Sequence, residues 1–234
     1  MRKIVCVCFP RSGHHLLTNI LFKYFSKNAE FLEFSGESSS KRCSEVINAG
    51  NLFYCEYYNH CRSFPCTDKN TNFQKNHDYD LLLNIQKGYY YIVLYRNPIE
   101  SIVSLYEHIT SDPYKNKMFG HAIGYGKSDW EAFAKEAMVY WKNFIKKWIF
   151  PNSNNEFLFV KYEDIIETPL ITINEIIKFI DPNNSVDFRI LIDSIKKIKI
   201  DKKRNLKEFK FYDSSFFKSL EDMIYYELKS LEFM

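Results

Sequence analysis

The sequence predicts an α/β fold: a single domain over residues 1–234 with a central, mainly parallel β-sheet flanked by helices. Three observations predict it. Apolar runs at 4–9, 89–95 and 157–160 lack polar alternation, as strands buried on both faces do. Segments with helical apolar spacing lie between them. Each run also ends abruptly in polar residues: Pro10-Arg11-Ser12-Gly13, then Arg96-Asn97-Pro98, then Lys161-Tyr162-Glu163-Asp164.

The first run leads into Leu16, Leu17, Ile20, Leu21, Tyr24 and Phe25 at helical spacing. Strand, tight loop and helix start therefore follow one another over residues 4–17. A helix start presents unpaired N–H groups and the positive end of a dipole, which favours an anion, above all a phosphate. Arg11 and Ser12 add side-chain donors there. Short strands are expected at 31–34 and 52–54, with a polar loop at 35–40. Residues 59–77 read as irregular.

Residues 89–95 form the clearest strand. Asn97 and Pro98 then supply an N-cap and a first-turn Pro for a helix to about residue 108. Residues 111–127 read as a loop, and 130–150 as a long helix with Trp130 and Trp141 on its core face. After the strand at 157–160, helices are expected at 169–180, 186–197 and 214–231.

Bulk properties narrow the function. The chain is 46% hydrophobic and 26% charged, enough for a sizeable core, and its net charge is only +3, too small to argue for a nucleic-acid partner. No stretch has the roughly 20 apolar residues of a membrane span. The N-terminal apolar run meets Pro10 and Arg11 too soon for a signal peptide, so with Met1 as the start a cytoplasmic protein is expected. Six cysteines are present. Cys6 and Cys8 share a strand face and read as core. Cys43, Cys55, Cys61 and Cys66 lack a CxxC pair, and free thiols are favoured over a zinc site or a disulfide.

The loop at 10–15 is not GxxxxGK[ST]. Gly124-Tyr125-Gly126-Lys127-Ser128 carries a GKS, but position 121 is His121 and no strand precedes it. There is no GxGxxG either. Arg96, at the end of a buried strand, offers a fork suited to phosphate. Ser104 lies two helical turns on, roughly 12 Å by helix rise.

With these residues the chain resembles the sulfotransferases that use 3′-phosphoadenosine 5′-phosphosulfate (PAPS). Pro10-Arg11-Ser12-Gly13 is similar to that family's P-loop-like PKSGTTW segment, which holds the 5′-phosphosulfate. Arg96 to Tyr106, with Ser104, is similar to the segment that holds the 3′-phosphate. Tyr162-Glu163-Asp164 is similar to its YED segment. Gln74-Lys75-Asn76-His77 resembles its KTH segment, and His77 precedes Arg96 by nineteen residues.

The resemblance implies PAPS as co-substrate, PAP as product and no metal. It implies that Arg11, Ser12, Gly13, His14, His15, Leu16, Arg96, Ser104 and Tyr162 bind the donor. His77 is then the general base, with Lys75 and Arg11 assisting the sulfuryl group. Glu56 is the reserve base, because carbohydrate sulfotransferases commonly use a Glu at a comparable place. The implied acceptor is a hydroxyl or amine of a small molecule or carbohydrate; the oligomeric state is left open. The chain departs from the family's pattern at Arg11, His14, His15 and Leu16, the last in place of a Trp that stacks on adenine. It also lacks the C-terminal RKG segment, for which Lys202, Lys203, Arg204 and Lys210 are the candidate substitutes. Two other readings stay open: a nucleotide-dependent kinase, and a non-catalytic nucleotide-binding or interaction protein.

Overall fold

A computed structural model describes residues 1–26, 47–49, 52–56, 65, 72–111, 124–152, 154–197 and 204–234. Six strands form one sheet in the order β2-β3-β4-β1-β5-β6. They are β1 (Ile4–Cys8), β2 (Ile47–Ala49), β3 (Leu52–Glu56), β4 (Phe73–Asn76), β5 (Tyr90–Tyr95) and β6 (Phe157–Lys161). β2 runs antiparallel to β3, and every other neighbouring pair is parallel. The mainly parallel sheet expected from the unalternated apolar runs is thus present. β1 lies between β4 and β5, and every residue of it is fully buried, which is why it shows no polar alternation.

The chain divides into two units. The first comprises 1–8, 13–95 and 153–200. It holds the sheet, α1 (His14–Ser26), and the helices following β6: α4 (Tyr162–Glu167), α5 (Pro169–Ile180) and α6 (Phe188–Lys196). Its core joins Ile4, Cys6 and Cys8 of β1 to Leu17, Ile20 and Leu21 of α1 and to Ile173, Ile176 and Ile177 of α5. Burying side chains of this size contributes about 1.5–3 kcal/mol each. Pro169 opens α5, and Asp187 caps α6 by accepting from the N–H groups of Arg189 and Ile190.

The second unit comprises 9–12, 96–152 and 201–234. It holds α2 (Pro98–Thr110), α3 (Lys127–Trp148), a 3₁₀ turn (Leu206–Glu208), α7 (Ser214–Met223) and α8 (Tyr225–Ser230). Asn97 caps α2 through its side-chain oxygen, 3.3 Å from the N–H of Glu100. Trp130, Trp141 and Trp148 are buried along α3, in keeping with the core role read for that face. Phe9 packs against Tyr140, tilted, and edge-on against Phe144 of the same helix.

Three expectations need correction, and one segment left without an expectation, at 162–164, is helical. β4 lies inside the stretch read as irregular, so Gln74, Lys75 and Asn76 belong to the sheet. Four residues with one apolar side chain at their start offer too short a pattern to see, and pairing with β1 supplies the order. α3 begins three residues early, at Lys127, where Gly126 occupies the N-cap position. Lys127 pairs there with Asp213 and Glu131. The last helix is two, broken at Ile224, whose φ of −129° leaves the helical region. The strand expected at 31–34, the loop at 35–40 and most of the 111–127 loop lie outside the described residues. So do Cys43, Cys61, Cys66, Lys202 and Lys203. No described helix is long and apolar enough to cross a membrane.

Candidate functional site

The turn after β1 takes its shape from two left-handed residues. Arg11 has φ +64° and Gly13 has φ +87°. The N–H of Ser12 donates to the carbonyl of Phe9, and the carbonyl of Gly13 accepts the first α1 hydrogen bond, from Leu17. A non-glycine residue in this region is disfavoured, and such strain gathers at ligand sites. Ser12 is 1% exposed, and its Oγ has no hydrogen-bond partner among the described residues. A buried hydroxyl in that state costs free energy unless a ligand pairs with it.

In the second unit, the residues read from the first and second motifs meet. Nε of Arg11 donates to Oγ of Ser104 at 3.1 Å, across 93 positions of sequence. Nη1 of Arg96 donates to the carbonyl of Arg11 at 3.4 Å, and Nη2 lies 2.6 Å from Oε2 of Glu100. Nε1 of Trp141 donates to the carbonyl of Arg96 at 3.3 Å, tying the Arg96 backbone to α3 within the second unit. Further along α2, Glu107 pairs with Arg204. Glu100, Ser104 and Glu107 follow one another at helical spacing, so a single face of α2 meets three guanidinium groups. Of the expected C-terminal cations, Arg204 reaches this face, while Lys210 lies over the ring of Tyr125 at 4.4 Å.

The first unit places His77 directly after β4. Its Nδ1 lies 2.7 Å from the carbonyl of Cys8 and 3.4 Å from that residue's Sγ. A carbonyl only accepts, so the contact puts the proton on Nδ1 and leaves the Nε2 lone pair for chemistry. The turn is held by Asp78, at φ +50°, whose N–H donates to Asn76 and whose Oδ1 accepts from Leu83. Lys75 is buried on β4, opposite Glu56 of β3 in the parallel register. Glu56, the expected reserve base, thus ends β3, and His77, the expected base, follows the neighbouring β4.

His14, expected to bind the donor, lies beneath the turn. It is 4% exposed, with Nδ1 3.7 Å from Sγ of Cys6. Burial, helped by the nearby Lys75 cation, lowers its pKa to about 4, so the ring is neutral at pH 7. The thiol contact with Cys8, together with burial, pushes the Cys6 thiol up. His15 is exposed, and Leu16 packs against the core of the first unit. Tyr162 lies over Gly13: a Cβ on Gly13 would collide with its ring.

The state of His14 makes stability depend on pH. Its folded pKa, about 4, lies below the ordinary 6.5 of the unfolded chain. Between these values the unfolded chain binds a proton that the folded protein refuses, so stability falls as pH drops from 6.5 towards 4. The expected loss is about 3 kcal/mol. Thermal melting at pH 7 and pH 4.5 checks it: the drop should be clearly smaller in His14→Gln than in the unaltered protein.

A family model described as Sulfotransferase domain matches residues 1–222. Among solved structures, the chain is similar to one titled "Crystal structure of mouse sulfotransferase SULT7A1 complexed with PAP". The TM-score is 0.59 at 15% identity, covering 97% of this chain and 84% of that one. At this identity the likeness speaks for the fold. No curated protein matches the sequence.

Proposed function

The chain belongs to the sulfotransferase domain family, and from that premise we propose that it moves a sulfuryl group from PAPS to a hydroxyl or amine of a small-molecule or carbohydrate acceptor. The observation that carries the reading is the bond from Arg11 to Ser104. Two motifs far apart in sequence, matched to the two ends of one donor, are in direct contact.

In this reading Arg11, Ser12, Gly13, His14, His15 and Leu16 form the turn that receives the 5′-phosphosulfate. The backbone N–H groups of the helix start and the Arg11 guanidinium offset charge on the bridging oxygen as it leaves. Arg96 and Ser104 hold the 3′-phosphate. The Ser104 hydroxyl accepts from Arg11, so its own proton can point at the phosphate. Nε2 of His77 takes the acceptor's proton. The acceptor oxygen or nitrogen bonds to sulfur as the bond from sulfur to the 5′-phosphate oxygen breaks, and PAP carries away the electron pair. Lys75 sits near His77 in sequence and neutralises charge on the sulfuryl oxygens. Tyr162 acts by packing, holding Gly13 and with it the turn.

Thermal melting with PAP, or with ATP with and without Mg²⁺, tests the reading. A ligand at 100 times its Kd stabilises by about 2.7 kcal/mol, which for a chain of this size raises Tm by roughly 5–10 °C. The expected result is that rise with PAP in chelator. Stabilisation by ATP only with Mg²⁺ would favour a kinase. PAP binding without transfer to any acceptor would favour a binding module.

A further inference from the structure

We propose that Glu100 is a positioning residue for donor recognition, and that the connected set Glu100, Arg96, Arg11 and Ser104 makes recognition of the 3′-phosphate depend on a carboxylate that never touches the donor. The inference rests on the PAPS reading given above.

Glu100 is 7% exposed, in the first turn of α2, and its carboxylate lies 2.6 Å from Nη2 of Arg96. The side chains of both partners are nearly buried, at 12% and 10% exposure. An ion pair at the surface would be loose and of little consequence. This one is held in place, since its two residues stand one helical turn apart and the backbone of Arg96 is tied to Trp141. With Nη2 on Glu100 and Nη1 on the Arg11 carbonyl, the guanidinium plane of Arg96 has its orientation set. A guanidinium recognises phosphate through a planar fork, so orientation decides whether two parallel bonds or one can form.

The same set runs through Arg11 to Ser104. The Arg11 carbonyl that accepts from Arg96 belongs to the left-handed residue at φ +64°, and the Arg11 side chain ends on Ser104. Glu100 fixes Arg96, Arg96 helps hold the backbone of Arg11, and the side chain of Arg11 helps place Ser104. Two opposite outcomes are open to a carboxylate so close to a phosphate-binding cation. As a mere counter-charge it would weaken phosphate binding, and its removal would tighten it. As a positioning residue it strengthens binding, and its removal weakens it. The near-buried, geometrically fixed pair points to the second.

The test is calorimetric titration of the full chain and of Glu100→Gln with PAP and with 5′-AMP, in chelator. Glu100→Gln keeps the shape and removes the charge, and melting confirms that the variant folds. The expected result is a loss of PAP affinity of about 10- to 100-fold, the worth of a charge-assisted hydrogen bond, with 5′-AMP affinity changed less than threefold. Glu100→Asp should recover part of the PAP affinity. In the background of Arg96→Ala, Glu100→Gln should cost nothing further. Unchanged or tighter PAP binding by Glu100→Gln overturns the proposal, as does equal weakening of PAP and 5′-AMP. If Glu100→Gln does not fold, the Arg96→Ala comparison with Glu100→Asp decides: a loss with Glu100→Asp that persists without Arg96 overturns it. Should the unaltered chain itself fail to prefer PAP over 5′-AMP, the PAPS reading falls, which is a different result from any of these.

Discussion

Replacing His77 by Ala is expected to lower kcat for sulfuryl transfer by about 10²- to 10⁴-fold, the usual range for a general base. Donor affinity should change little, because in the proposed mechanism the imidazole acts on the acceptor's proton. The ring is fixed by its Nδ1 contact with the Cys8 carbonyl, which selects the tautomer with a basic Nε2. His77→Gln is the useful companion: it can keep a bond to that carbonyl yet cannot take a proton at neutral pH. Glu56→Gln should leave turnover within a few-fold. Steady-state rates for the three variants at saturating PAPS separate the bases. Near-normal turnover in His77→Ala, with collapse in Glu56→Gln, would move the role to β3.

The second large effect is expected at Gly13. Its φ of +87° is unfavourable for any residue with a Cβ, at about 1–2 kcal/mol. The added methyl of Gly13→Ala also meets the ring of Tyr162. Overpacking of this kind costs about 1–3 kcal/mol. The two terms together predict a loss of roughly 2–5 kcal/mol, seen as a lower Tm and a lower denaturant midpoint. Adding Tyr162→Leu removes the collision and leaves the backbone term. The double variant should therefore lose less relative to Tyr162→Leu than Gly13→Ala loses relative to the unaltered chain. Equal losses in both backgrounds would mean that Tyr162 does not press on the turn.

What could be read from the sequence was whatever a few adjacent residues decide. β1 and β5 are buried on both faces, so their composition betrays them. Asn97 and Pro98 announce α2 because the cap and the first turn are local chemistry. β4 has no signal of its own because its place is decided by β1, some seventy residues away, and its four residues carry no pattern. His14 shows the same limit at the level of one side chain. Position in the motif says nothing of its burial, which packing beneath the turn, against Cys6, decides. The contact of Arg11 with Ser104 joins two loop-and-helix segments, and spacing along the chain says nothing of it. Glu100 carries no distinguishing signal in the sequence, since a Glu in the first turn of a helix is ordinary for helix electrostatics alone. Only its fixed partner, Arg96, gives it a further part.

The most direct measurement of the central claim is the calorimetric affinity of the unaltered chain for PAP and for 5′-AMP in the presence of a chelator. The account predicts saturable one-site binding of PAP, at least about tenfold tighter than 5′-AMP, since one charge-assisted bond to the 3′-phosphate is worth that much. Equal affinities, or binding that appears only with Mg²⁺, would contradict it.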